Sequence, residues 1–166
     1  FEALDELVHV RGRDVRLTIV GRGPLEAELR SLVLMRQLSE HVRFAGYVPN
    51  PSGLVAAADL FVLPSLYEGM PNALVEAVAS GTPAIAADCP TGPREVLDDG
   101  RNGTLVPPGD ARVLADAIDA FIADPAPFRA RTAAAREFVL QRYDASASVR
   151  RLEEVLLSAA TRHRTG

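Results

Sequence analysis

The sequence predicts an α/β fold: a doubly wound parallel sheet flanked by helices and followed by C-terminal helices. Three observations predict it. Apolar residues switch between helical and extended spacing almost from end to end. Several candidate strands, such as Leu60-Phe61-Val62-Leu63, are continuous apolar runs without polar alternation, as strands covered on both faces are. Most of these strands end in Gly or Pro, the punctuation of a strand-to-helix turn.

Taken in order, Phe1, Leu4, Leu7 and Val8 recur with helical period, and Gly12 stops that helix. Val15 to Val20 is β-rich and runs into the turn Gly21-Arg22-Gly23-Pro24. A helix from Leu25 to Leu38 is expected to carry Leu25, Leu29, Leu32 and Met35 on one face. Val42 to Ala45 is a short strand closed by Gly46, and Leu54 to Ala58 a short helix. After the strand Leu60–Leu63 come a helix from Asn72 to Ser80, a buried strand from Pro83 to Ala87 and a helical turn from Arg94 to Leu97. Gly103 to Val106 is the last strand, and Asp110 is the N-cap of a helix reaching Ala123. Two helices follow, Pro127 to about Tyr143 and about Ser146 to about Arg162, a helical tail over roughly 127–166 of one 166-residue domain.

Composition excludes several classes. At 48% hydrophobic and 24% charged, the chain is neither disordered nor a disulfide scaffold. Its one cysteine, Cys89, has no internal partner, which fits a reducing compartment. A net charge of −4 gives no field for nucleic acid or anionic lipid. Asp59, Pro64 and Glu76 interrupt every apolar run long before the roughly 18 residues of a membrane span. The chain opens at Phe1 inside a helix, so a fragment of a longer protein is expected.

In an open parallel sheet, loops at the carboxyl ends of the strands line the ligand crevice. Gly21-Arg22-Gly23 lacks the third glycine of a dinucleotide fingerprint; Glu26 stands there and opposes a pyrophosphate. The chain has no lysine, which removes a Walker-type phosphate loop and a Schiff base. His9, His41 and His163 stand on separate elements without zinc-ligand spacing, so no metal is expected. Cys89 has no adjacent His and reads as a core or loop-edge thiol.

The informative stretch is Ser65-Leu66-Tyr67-Glu68-Gly69-Met70-Pro71-Asn72-Ala73-Leu74-Val75-Glu76-Ala77. A strand ends, a loop presents Glu68, and a helix begins near Asn72, so a carboxylate and free backbone N–H groups share one rim. Glu76 lies one turn into that helix, where a carboxylate could accept hydrogen bonds from a diol. Two readings are open for each carboxylate: a solvated surface group, or a ligand contact. For Glu76 the apolar run around it favours a contact, because a carboxylate buried in such a helix needs a partner.

Glu68 and Glu76, seven residues apart, resemble the Glu-x7-Glu motif of retaining glycosyltransferases of the GT-B fold. The likeness extends through Ala57–Ser65, Ser80-Gly81-Thr82-Pro83, Gly92-Pro93-Arg94-Glu95-Val96, Gly100–Val106 and Pro108-Gly109-Asp110, and upstream through Val20–Leu25 and Val42–Val48. It implies a Rossmann-like donor-binding domain lacking its first strand. An N-terminal acceptor domain, and an Arg and a Lys that grip the diphosphate, would lie outside this chain, which alone is then expected not to turn over. The resemblance makes Glu68 the catalytic residue, on the hydroxyls of the transferred sugar, and Glu76 the ribose contact. Amides of Gly69, Met70, Asn72, Ala73 and Leu74 would meet the sugar and diphosphate. Gly21 belongs to the donor-binding set, Tyr47 and Val48 stand near the base, and Thr91 and Gly92 near the donor sugar. Cys89-Pro90-Thr91-Gly92-Pro93 departs from the commoner Gly-Gly-x-Pro pattern, leaving the role of that loop open.

The implied chemistry is transfer, with retained configuration and without metal or cofactor, from a nucleotide-sugar donor to a saccharide or lipid-linked acceptor, as in bacterial polysaccharide biosynthesis. A cytoplasmic location is expected; a full-length enzyme with a lipid-linked acceptor would work at the inner face of the membrane. Two alternatives stand beside it: a sugar-nucleotide epimerase of the same fold, and a non-enzymatic nucleotide-sugar-binding module. Uracil, guanine and adenine remain equally open as the donor base.

Overall fold

A computed structural model describes residues 1–163 of the chain, with side chains described to residue 158, so the end of the expected tail, 164–166, lies outside the described residues. The chain opens with α1 (Glu2–Asp5), which runs directly into a π-helical turn, Glu6–Val10. Then β1 (Leu17–Val20), α2 (Glu26–Met35) and β2 (Val42–Gly46) follow. The middle comprises α3 (Ser52–Ala56), β3 (Phe61–Leu63), α4 (Asn72–Ala79), β4 (Ala84–Ala87), α5 (Pro93–Val96) and β5 (Thr104–Val106). Four helices complete the described residues: α6 (Ala111–Ala123), α7 (Ala126–Ala130), α8 (Thr132–Arg142) and α9 (Ala145–His163).

All strand pairs are parallel, as the apolar runs predict, and the sheet comes in two sections. In one, β1 pairs with β2, Leu17 opposite Val42; in the other, β4 lies between β3 and β5, Phe61 opposite Ala84 and Ile85 opposite Thr104. Among the described residues β1 and β3 do not pair with each other, and each has one edge without a partner strand. The central strand β4 is buried along its whole length, which explains its lack of polar alternation.

The sections are joined through α1 and α6. Ala3 and Leu7 pack on Ala115, with Val15, Ala111, Leu114 and Ile118 around them. At the edge of this contact Arg11 donates to Asp116 at 2.6 Å and to Asp119 at 3.4 Å, while Arg13 donates to Asp119 at 2.6 Å. Asp110 caps α6, accepting from the Val113 amide at 3.0 Å as its sequence position predicts.

Two helices differ from their expected form. α2 buries Val33 and is followed by buried Leu38, while Leu25 (58% exposed) and Met35 (73% exposed) stand in solvent. The helix is shorter than its periodicity suggests: Leu25 is its N-cap, and a left-handed Gln37 (φ 54°) beyond its end directs Leu38 inward. The predicted helix from Pro127 to Tyr143 is two, α7 and α8, broken at Arg131. That guanidinium donates to the carbonyls of Gly103 (3.1 Å) and Gly100 (3.4 Å) at the approach to β5. The expected tail is also partly core: Ala135 and Val139 of α8 are buried with Leu74 and Val78 of α4, and Arg136 donates to the last α4 carbonyl, Ala79, at 2.9 Å. α9 presents its apolar residues, such as Val149 and Leu152, to solvent.

The Arg13 hydrogen bond and charge, followed by the Arg11 hydrogen bond, hold the Asp119 carboxyl below the ordinary carboxylate range. A carboxylate depressed in the folded state stabilises fully above its unfolded value and loses that contribution as pH falls through its folded value. Asp119→Asn should therefore lower Tm at neutral pH, and the gap to the native chain should narrow below about pH 4. Thermal unfolding followed by circular dichroism across that range checks this; a gap independent of pH would refute it.

Candidate functional site

The loops leaving β3, β4 and β5 meet around residues 65–71. Ser65, two residues past β3, donates from Oγ to Glu68 Oε1 at 2.7 Å. Thr91, in the loop after β4, donates from Oγ1 to the main-chain oxygen of Glu68. Gly92 comes so close that a Cβ there would lie 2.4 Å from Pro71 Cδ and 2.8 Å from the Gly69 oxygen, and its φ is 91°. Only glycine satisfies both the space and the torsion. From the other side, Leu66 Cδ2 lies 3.6 Å from where a Gly109 Cβ would stand, in the loop after β5.

Pro71 is the N-cap of α4, and no side chain caps the helix. The first N–H groups of a helix lack intrahelical partners, and here they divide into two sets. Asn72 donates to Met70 and Leu74 to Pro71, both at 2.9 Å. The N–H groups of Gly69, Met70 and Ala73 have no hydrogen-bond partner among the described residues. Three donors therefore stay open beside Glu68 at the positive end of α4.

Glu76 is exposed, not buried in an apolar helix face. Leu74, Ala77 and Val78 turn inward, whereas Asn72, Ala73, Glu76 and Ser80 share the outward face. The run looked uniformly apolar because Ala73 faces solvent, so desolvation does not argue for a ligand at Glu76. Its carboxylate takes no hydrogen bond or ion pair among the described residues, which leaves both oxygens open. Glu68, by contrast, is half-buried and has one oxygen engaged by Ser65.

Gly21, Tyr47 and Val48 form a second group on the other sheet section. Gly21 donates its N–H to the Gly46 carbonyl at 2.8 Å, fastening the ends of β1 and β2 together. Tyr47 follows at once and is 65% exposed. No hydrogen bond joins this group to the Glu68 loop among the described residues.

The cysteine and two of the histidines have structural partners. Cys89 is buried at the end of β4, with its sulfur 3.8 Å from the Thr91 carbonyl. His41 donates through Nδ1 to Val15 at 2.8 Å, and His9 Nε2 lies 2.9 Å from the Arg36 carbonyl. No group of three or more His, Cys, Asp or Glu side chains suited to a metal occurs among the described residues. Arg94 is bound to Asp88 and lies 3.5 Å from Asp99. Sequence reasoning passed over Ser65, although Ser-x-x-Glu is a spacing at which a hydroxyl and a carboxylate serve one turn.

Gly92→Ala should destabilise the chain by about 1–3 kcal/mol, since the methyl meets main chain at a left-handed torsion. Urea unfolding would read this as a lower midpoint at unchanged slope; an unaltered midpoint would show that the two loops part freely.

The chain matches the family model for glycosyl transferases group 1 over residues 1–124. It is 40% identical over 151 residues to the phosphatidyl-myo-inositol mannosyltransferase of Mycobacterium leprae, covering 89% of this chain and 39% of that protein. It is 37% identical over 148 residues to an exopolysaccharide phosphotransferase of Streptomyces coelicolor, covering 89% of this chain and 16% of that protein. The structure superposes on Anabaena HepE in complex with UDP and glucose with a TM-score of 0.84 at 27% identity, over 94% of this chain and 44% of that one. The chain thus spans at most 39% of the length of either curated relative. Its parallel α/β architecture is the one found in GT-B glycosyltransferases, and the chain belongs to the group 1 glycosyltransferase family.

Proposed function

We propose that this chain is the donor-binding part of a retaining glycosyltransferase that moves a sugar from a nucleoside-diphosphate sugar to a saccharide or lipid-linked acceptor. The observation that carries this reading is the row of open groups on one rim: the N–H donors of Gly69, Met70 and Ala73, with Glu68 on one side and Glu76 on the other. Family membership, and the UDP and glucose bound by the HepE relative, support the same class of ligand.

In this arrangement the three N–H groups and the positive end of α4 receive the diphosphate, neutralising charge without a metal. The open oxygen of Glu68 accepts from a sugar hydroxyl. Glu76, with both oxygens open on the outward face of α4, accepts from the two hydroxyls of the ribose. Breaking the bond between the sugar and the diphosphate oxygen leaves negative charge on that oxygen, where preorganised N–H donors stabilise it most. The acceptor hydroxyl attacks from the face the diphosphate leaves, and its proton passes to the departing oxygen. An upstream region supplies the acceptor, further diphosphate contacts and any association with a membrane surface.

Heteronuclear NMR titration with UDP-glucose, GDP-mannose, ADP-glucose and NAD tests the reading. One nucleotide sugar should shift the amides of Gly69, Met70 and Ala73 saturably, and Glu76→Ala should weaken it by about tenfold or more, the scale of a lost charge-assisted pair of hydrogen bonds. Binding of NAD alone would overturn the proposal. In the full-length protein, NMR of the product's anomeric centre tests retention; an inverted product would remove that part of the mechanism.

A further inference from the structure

We infer that Ser65 and Thr91 are positioning residues for Glu68, and that neither hydroxyl donates to the ligand. The inference rests on the donor-site reading above and adds to it what makes the site selective for the sugar. Glu68 stands in a loop with free backbone on both sides, where a carboxylate alone would sample several rotamers. Here it is held at both ends. Ser65 Oγ donates to Oε1 at 2.7 Å from the same loop, and Thr91 Oγ1 donates to the Glu68 carbonyl from the neighbouring one.

A serine or threonine hydroxyl has a single proton, and both protons are committed to Glu68. Thr91 therefore acts on the site through the main chain of Glu68, which gives the departure from the Gly-Gly-x-Pro pattern a purpose. The missing side chain of Gly92 lets this loop come close enough for the bond, since a Cβ would lie 2.8 Å from the Gly69 oxygen. Glu68 takes no further hydrogen bond on its carboxylate among the described residues, so Oε2 is left as the acceptor. The geometry fixes which oxygen faces the ligand before the ligand arrives, and orientation set in advance costs nothing on binding.

The test uses the full-length protein and compares each nucleotide sugar with its own nucleoside diphosphate: UDP-glucose with UDP, GDP-mannose with GDP, ADP-glucose with ADP. Glu68→Gln and Ser65→Ala should each weaken the sugar nucleotide about five- to tenfold and leave the diphosphate within about twofold, because only the sugar meets Glu68. The double variant should bind within about twofold of Glu68→Gln alone, since Ser65 acts through that carboxylate. Ser65→Thr, which keeps the hydroxyl, should restore most of the affinity. Thr91→Val should show the same split between sugar nucleotide and diphosphate; equal binding to the native protein would overturn that half of the proposal.

Equal losses for sugar nucleotide and diphosphate in Ser65→Ala, or losses that multiply in the double variant, would make Ser65 merely structural and overturn the proposal. If Glu68→Gln loses the sugar preference while Ser65→Ala keeps it, the proposal falls and the donor-site reading stands. If the native protein binds none of the three nucleotide sugars, the donor-site reading falls and takes the proposal with it.

Discussion

The structure depends on the seam between α1 and α6. The two sections of parallel sheet share no strand pairing, so the geometry of the whole rim is set by Leu7 against Ala115 and by the Arg11 and Arg13 bonds to Asp116 and Asp119. Exposed ion pairs contribute little by themselves. This set differs because it sits on an apolar bed and two guanidinium groups share one carboxylate, Asp119, so direction matters as well as charge. The apolar contact supplies the attraction, and the forked hydrogen bonds fix the angle at which one section meets the other.

On the larger section, rigidity comes from behind the rim. α8 covers α4 through Ala135 and Val139, and Arg136 ties down the end of α4. The amino end of the same helix is left uncapped by any side chain. A helix braced along its length and open at its start holds its free N–H groups in place without satisfying them. Around that start, the loops after β3, β4 and β5 are in contact through Ser65, Thr91, Gly92 and Leu66, so the site is assembled from sequence-distant loops.

The parts legible in the sequence were those set by local chemistry. Continuous apolar runs mark β3 and β4, and Asp110 before an apolar-periodic segment marks the start of α6. The parts that were not legible are set by tertiary contact. Of the α2 face read from the period, Leu29 and Leu32 are half-buried but Leu25 and Met35 are exposed, and a left-handed Gln37, not the helical period, decides that Leu38 is buried. The break at Arg131 has no Gly or Pro to announce it; carbonyls on the approach to β5 recruit the guanidinium. Glu76 seemed buried because an outward-facing alanine is indistinguishable from an inward one in sequence. The structure brings Glu68 and the start of α4 to one rim, but which amides stay open there was not readable, since Asn72 and Leu74 are engaged by turns whose tightness depends on Pro71.

The unpaired edges of β1 and β3 have a colloidal consequence. Each is a row of main-chain donors and acceptors with no strand beside it, and such a row is a template for any extended segment that approaches. β3 has no charged residue, proline or bulge along Phe61–Leu63 to discourage this, and its one protection is its brevity, three residues. In the 166-residue chain taken alone, strand addition at these edges competes with the repulsion that a net charge of −4 provides. Whether the chain stays dispersed is then governed by backbone groups at a sheet edge, a property invisible in its composition.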